Sequence, residues 1–90
     1  MKREIQDFFI NSNSDKEKVI YIISKNIGKK IKSIRLKYNM KGSELARVIG
    51  ISQQQLSKYE NGKVDITTSK IILISIYFDI DINYFFINEN

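Results

Sequence analysis

The chain has 90 residues, of which 42% are hydrophobic and 28% are charged, and it contains no proline, cysteine or histidine. This length suits one small globular domain, and the missing thiol and imidazole groups exclude disulfides, the usual zinc sites and triad enzymes. No stretch approaches the ~20 apolar residues of a membrane helix, so we expect a soluble cytoplasmic protein that is not an enzyme and needs no metal or cofactor.

The net charge of +5 is unevenly distributed along the chain. Eight basic residues and no acidic residue lie between residues 18 and 43, whereas four acidic residues and one lysine follow Val64. Such a basic block is typical of a surface that meets phosphates. A solvated surface in a lysine-rich protein gives the same pattern, so charge alone does not decide between these interpretations.

The N-terminal third predicts two helical segments. Residues 2–10 have the spacing of a short amphipathic helix. Ser14 and Glu17 match a capping box, which predicts that a second helix begins directly after Ser14. Apolar residues then recur at steps of three and four until about Asn39, and Gly28 is a candidate break in this helix.

The middle of the chain predicts two short helices separated by a tight turn. The first spans residues 43–49 and ends at Gly50, which can adopt the left-handed backbone of a helix end. The second spans residues 53–60, with Ser52 as its N-cap and an Asn-Gly pair as its stop.

The last third predicts a core helix and a final helical turn. Thr67 or Thr68 caps residues 69–78, which are apolar nearly all round and are therefore expected in the core. Residues 82–87 form the final turn, which is rich in aromatic side chains.

The two short helices carry the functional interpretation. Small residues stand where the helices would cross, Leu56 and Tyr59 are apolar anchors, and three consecutive glutamines begin the second helix. A glutamine can hydrogen-bond to N6 and N7 of adenine in the major groove, and each good pair contributes ~1–3 kcal/mol of discrimination. A plain helical hairpin with glutamines on its surface is the alternative.

The pattern Leu45-Ala46-x-x-Ile49-Gly50-Ile51-Ser52-x-x-x-Leu56-Ser57-x-Tyr59-Glu60-Asn61-Gly62 resembles the helix-turn-helix of the phage repressor and Cro family, also called the XRE family. The resemblance covers residues 27–86. It implies an all-α fold, a five-helix lambda-repressor-like DNA-binding bundle, here with an additional N-terminal helical extension. We therefore predict the extension over residues 1–24 and the DNA-binding domain over residues 25–88.

The resemblance also implies a role for individual residues. The base-reading side chains would be Gln53, Gln54 and Lys58. Side chains that contact phosphate or support the readers would be Lys41, Ser52, Gln55, Ser57, Asn61 and Lys63. Arg35 and Glu60 match a structural pair that joins the first and third helices of the family.

One departure from the family pattern concerns the start of the second helix. Lys41 and Gly42 stand where the family has a capping residue and a glutamine. The missing glutamine normally supports the first base reader, so the departure weakens a phosphate clamp and leaves the conformation of Gln53 open.

The function implied by the resemblance is a sequence-specific regulator that represses transcription as a homodimer on double-stranded DNA, at the nucleoid. Candidate dimer residues are Tyr84, Phe85, Phe86 and Ile87. A narrower resemblance of residues 51–60 to MrpJ-type regulators of fimbrial operons implies control of motility and fimbrial genes.

The alternative is an antitoxin of the same fold, which would bind its own operator and neutralise a toxin protein through the N-terminal segment or the aromatic tail. A pure interaction module that binds no DNA is a further possibility. An enzyme built on Asp65, Asp79 and Asp81 is disfavoured, because no further ligands follow at a metal-binding spacing.

Overall fold

The computed structural model describes residues 13–87 together with residues 3, 4 and 6. Within these ranges the chain is helical and has no strand, as predicted, and its elements in order are α1 (Asn13–Lys37), α2 (Gly42–Ile49), α3 (Gln53–Glu60), α4 (Thr68–Phe78) and a 3-10 helix (Ile82–Phe85). The predicted count of five α-helices is not confirmed, because residues 82–85 form a 3-10 helix. No helix of this part of the chain is both long and apolar enough to span a bilayer.

The helix predicted over residues 2–10 lies outside the described residues, apart from residues 3, 4 and 6. The extension over residues 1–24 and the domain over residues 25–88 therefore stay predictions. α1 crosses the boundary between them without interruption.

Gly28 does not break α1, which is one continuous helix of 25 residues, so the candidate break is not observed. The glycine is needed for a close approach of α3 instead. A Cβ atom at position 28 would lie 2.3 Å from the carbonyl oxygen of Tyr59 and 2.6 Å from that of Glu60. No side chain fits at these distances, so glycine allows the end of α3 to rest on the backbone of α1.

The turn between α2 and α3 has the geometry that the sequence predicts. Gly50 adopts a left-handed conformation with φ of 73°, and the N–H of Ile51 donates to the carbonyl oxygen of Ala46 at 2.9 Å. Ser52 then caps α3, because its Oγ accepts a hydrogen bond from the N–H of Gln55 at 3.0 Å. These bonds give partners to backbone N–H and C=O groups that would otherwise lack hydrogen bonds at the ends of two such short helices.

A second glycine fixes the chain after α3. Gly62 has a φ of 68°, and a Cβ atom there would lie 2.7 Å from Cα of Lys25. The loop after α3 therefore also packs directly on the α1 backbone.

One apolar core joins all five elements. Its buried members are Ile27, Ile31, Ile34, Leu45, Ala46, Ile49, Leu56, Ile71, Ile74, Phe78 and Phe85. Phe85 is only 1% exposed, so it belongs to the core of the single chain and is removed from the candidate dimer surface, whereas Phe86 and Ile87 remain exposed.

The predicted core helix is buried on one side only. α4, which is capped by Thr67, buries Ile71, Ile74, Ser75 and Phe78. Its opposite face is apolar and exposed, and consists of Ile72, Leu73, Ile76 and Tyr77.

We predict that Gly28→Ala lowers the free energy of unfolding by about 2 kcal/mol or more, because the new methyl group overlaps two carbonyl oxygens of α3. Urea unfolding followed by circular dichroism measures this change. Gly42→Ala is the matched control, since a Cβ atom there meets nothing nearer than 3.8 Å. Equal stability of the two variants would contradict the close contact.

Candidate nucleic-acid interface

α3 presents a polar, largely uncharged surface to solvent. Leu56 and Tyr59 anchor the helix in the protein. The side chains left exposed on the helix are Gln53, Gln54, Ser57 and Lys58, and Gln55 is half-buried. All three predicted base readers therefore lie on the accessible side of one short helix.

The side chain of Gln53 lies against the start of α2. Its Nε2 and Cγ are 3.8 and 3.9 Å from the position that a Cβ atom at Gly42 would occupy. The first predicted base reader thus packs on bare backbone at the point where the family pattern has a supporting glutamine.

The residues predicted to contact phosphate flank this surface at both ends of the motif. Lys41 is exposed at the N-cap of α2, and its backbone N–H donates to Oε1 of Glu44 at 2.9 Å. At the other end, the side-chain amide of Asn61 donates to the carbonyl oxygen of Ser57 at 2.8 Å, which fixes the direction of this side chain. Lys63 follows in the same loop and is exposed.

Arg35 and Glu60 form a bidentate ion pair between α1 and α3. Nε of Arg35 donates to Oε2 of Glu60 at 2.7 Å, and Nη2 donates to Oε1 at 3.0 Å. The remaining Nη1 donates to the carbonyl oxygen of Met40 at 2.9 Å, so the same guanidinium also holds the loop before α2. The hydrogen bonds that Arg35 donates to Glu60 raise the pKa of Arg35 against the opposing effect of burial, which keeps the guanidinium charged.

Lys32 was not among the predicted site residues, yet it lies beside them. A crevice of about 250 Å³ lies between α1, the start of α2 and the end of α3, and Lys32 lines it together with Gly42, Gln53, Ser57 and Asn61. Lys32 stands four residues after Gly28 and three before Arg35, which places all three on one face of α1. This spacing was visible in the sequence, but the partners of that face were not.

The carboxylates considered for an enzyme have structural roles. Asp65 accepts a hydrogen bond from Oγ of Ser24. Asp79 ends α4 in a left-handed conformation, and Oδ1 of Asp81 accepts from the N–H of Asn83 at 2.8 Å. Among the described residues, no three acidic side chains come together as a metal site would need.

The comparisons with known proteins all concern the family to which this chain is similar. Residues 31–85 match the sequence profile of the helix-turn-helix family. Over 71 residues the chain is 41% identical to an uncharacterized HTH-type transcriptional regulator of Rickettsia conorii, a match that covers 79% of this chain and 57% of the relative. Over 54 residues it is 43% identical to the antitoxin PezA of Streptococcus pneumoniae, which covers 60% of this chain and 34% of the antitoxin.

The fold is similar to the crystal structure of the restriction-modification controller protein C.AhdI from Aeromonas hydrophila, with a TM-score of 0.64 at 16% identity. That similarity covers 69% of this chain and 94% of the controller. The chain spans little more than half the length of the Rickettsia relatives, 57% of one and 55% of another.

We predict that Arg35→Met and Glu60→Gln each lower the free energy of unfolding by about 1–3 kcal/mol, because the first leaves the carboxylate of Glu60 without its partner and the second leaves Arg35 without a charged acceptor and with at most one of its two bonds to position 60. The two side chains are 12% and 7% exposed, so water replaces those bonds poorly. Chemical denaturation measures both variants and their combination. Arg47→Met, at an exposed arginine of α2, is the control, and a loss at Arg35 no larger than at Arg47 would contradict this role.

Proposed function

The chain belongs to the helix-turn-helix family, of the phage repressor and Cro type, and we propose that it is a transcriptional regulator that binds specific sequences in double-stranded DNA. The observation that carries the proposal is the exposed start of α3. There, Gln53 and Gln54 offer uncharged donor and acceptor groups on a helix whose inner side is fixed by Leu56 and Tyr59.

In this proposal α3 enters the major groove, whose width of ~12 Å matches the diameter of a helix with its side chains. Gln53 and Gln54 hydrogen-bond to base edges, preferably those of adenine. Lys58 lies one turn further along and is suited to the acceptors O6 and N7 of guanine. Contacts from the two ends of the motif to phosphates then set the register of the helix on the duplex. The residues proposed for these contacts are Lys41, Ser52, Asn61 and Lys63.

We also propose that the protein acts as a homodimer that represses transcription by occupying its operator. The exposed face of α4 supports this, because Ile72, Leu73, Ile76 and Tyr77 are 40%, 43%, 69% and 52% exposed. The helix carries one charged residue, Lys70, whose Nζ donates to the carbonyl oxygen of Ile49 at 3.0 Å. An apolar face without a free charge fits a second copy of itself across a two-fold axis, with half-sites ~34 Å apart on the DNA.

A second candidate function is that of an antitoxin, and the similarity to PezA favours it. In that case the same helix-turn-helix would bind the operator, and another surface would neutralise a toxin protein. The apolar side chains that α1 exposes toward such a surface are Ile20, Tyr21, Ile22 and Ile23. A neighbouring gene whose product arrests growth, and binds this protein when both are expressed, would establish this function; absence of such a gene would argue against it.

The narrower proposal of a role in motility and fimbrial gene control rests on residues 51–60 and stays a prediction. Mapping the bound sites across the genome tests it. Sites upstream of flagellar or fimbrial operons would support the proposal, and sites confined to other genes would contradict it.

We predict that the double variant Gln53→Ala, Gln54→Ala loses its preference for a selected duplex by about 10-fold or more, since each lost bidentate pair is worth ~1–3 kcal/mol. Its salt-dependent binding to unrelated duplexes should persist, because the phosphate contacts remain. Fluorescence anisotropy with both duplexes measures these affinities. Asn83→Ala removes an exposed amide outside the motif and should bind like the wild type. An unchanged preference in the double variant would overturn base reading by these glutamines.

For the dimer, we predict that Ile76→Asp shifts the protein to the monomer, because it buries a charge in an apolar interface. Sedimentation equilibrium measures the change. The control is Val48→Asp, at an exposed apolar residue of α2 outside the proposed interface. A wild-type protein that is already monomeric at micromolar concentration and on DNA would contradict the dimer.

A further inference from the structure

The apolar side of α1 continues beyond the core. Ile27, Ile31 and Ile34 are buried in the core. Ile20 and Ile23 continue the same stripe toward the N-terminus at steps of three and four residues. Both are 49% exposed, so the stripe that forms the core leaves two isoleucines unburied at its N-terminal end.

An apolar cleft surrounds these two isoleucines. It consists of two adjoining cavities of about 320 and 410 Å³, which share Ile23, Ile27 and Phe86 as lining residues. The outer walls include Val64, before α4, and Ile87, after the 3-10 helix, and both are exposed. Apolar surface therefore extends to both sides of Ile23.

The cleft favours an apolar occupant. Among the described residues that line it, Asp65 is the one with a formal charge, and its carboxylate accepts a hydrogen bond from Ser24. An apolar surface can therefore cover the cleft without leaving a buried charge unpaired.

We propose that residues 2–10 of the same molecule occupy this cleft as a helix that packs antiparallel on α1. The described residues of this segment are Arg3, Glu4 and Gln6, and all three are helical and exposed. They mark a side of the segment that lies in solvent. The proposal does not depend on DNA binding.

The sequence puts the apolar residues of the segment on the opposite side. At about 3.6 residues per turn, Ile5, Phe8 and Phe9 share the side of a helix that is opposite Arg3. An amphipathic helix of this kind needs an apolar surface against its inner side. The two basic and two acidic residues of the segment cancel, so no net charge opposes its packing beside Asp65.

The lengths of the segment and of the uncovered part of α1 match. Nine helical residues extend about 13.5 Å, and the ten steps from Asn13 to Ile23 rise about 15 Å. α1 begins at Asn13, so residues 11 and 12 connect the two helices, and two residues are enough for an antiparallel helical hairpin. A connection this short favours the cleft of the same chain over that of a second copy, because it gives the segment a high effective concentration.

The proposal changes the role of the N-terminal segment. With residues 2–10 in place, Ile20 and Ile23 belong to the core, and the extension forms one unit with the DNA-binding domain. A partner protein that binds α1 at these residues, as in the antitoxin alternative, has to displace the segment first.

The test uses the absence of cysteine from the chain, which makes an introduced thiol the only one. Ile23→Cys places the thiol in the cleft, and Val48→Cys places it on α2 as the exposed reference. Ile23 is 49% exposed and Val48 is 38% exposed, so without a cover the thiol at position 23 should react with DTNB at least as fast. With the cover it should react about 10-fold more slowly or less, because labelling must wait until the segment leaves the cleft.

Phe8→Asp together with Phe9→Asp, introduced into the Ile23→Cys protein, should restore the rate to that of Val48→Cys, because two carboxylates are kept out of the apolar cleft. Arg3→Asp is the matched control, since it introduces a carboxylate on the exposed side and should leave the rate slow. The slow rate should not change on dilution, because the cover belongs to the same chain.

A buried thiol separates opening of the cleft from general unfolding. Ser75 is 7% exposed on α4, so the thiol of Ser75→Cys should stay unreactive when Phe8→Asp and Phe9→Asp are added.

Three results would overturn the proposal. The first is a rate at position 23 in the otherwise unchanged chain that equals or exceeds the rate at position 48. The second is a slow rate that persists in the double variant. The third is a slow rate that rises on dilution, which would assign the cleft to a second copy. None of these results bears on DNA binding, so the proposed function is tested separately.

Discussion

The end of α3 rests on the backbone of α1, and the position of the whole polar surface depends on that contact. Gly28 and Gly62 bring the carbonyl oxygens of Tyr59 and Glu60, and the loop that follows, closer to α1 than any side chain would allow. The Arg35–Glu60 ion pair adds a side-chain contact between the same two helices, α1 and α3. A helix of eight residues is not stable by itself in water, so α3 has a defined direction only because α1 holds it.

The residues of α3 that stabilise the fold differ from those proposed to contact DNA. Leu56, Tyr59 and Glu60 face the protein, and their contacts are made within the single chain. Gln53, Gln54 and Lys58 face solvent and take no part in the core. Substitutions at these exposed positions can therefore change the outer surface of α3 without changing the fold. The same separation explains why sequence similarity to other regulators supports a common fold more strongly than a common operator.

The sequence predicted the elements whose ends are determined locally. Gly50, Ser52 and Thr67 terminate or cap helices through bonds to residues three to five positions away, and such bonds can be read from spacing. At Gly28 the sequence left the outcome undecided, because a glycine in a helix looks the same whether it breaks the helix or admits a distant backbone. Burial of Phe85 and the position of Lys32 beside α3 were equally hidden, since both depend on contacts between elements far apart in the chain. The candidate base readers could be named from the motif, whereas the crevice beside them required the fold.

In the proposed function, the glutamines of α3 read adenine edges in the major groove. The most direct test is binding to a selected duplex in which single adenines are replaced by 7-deazaadenine, which removes the N7 acceptor and leaves base pairing and the minor groove intact. If Gln53 or Gln54 bonds to N7, replacement at one or two positions should weaken wild-type binding by about 5- to 10-fold, roughly half of a bidentate pair. The double variant Gln53→Ala, Gln54→Ala should not respond to the replacement. Equal affinity of the wild type for natural and substituted duplexes at every adenine would contradict adenine reading by α3.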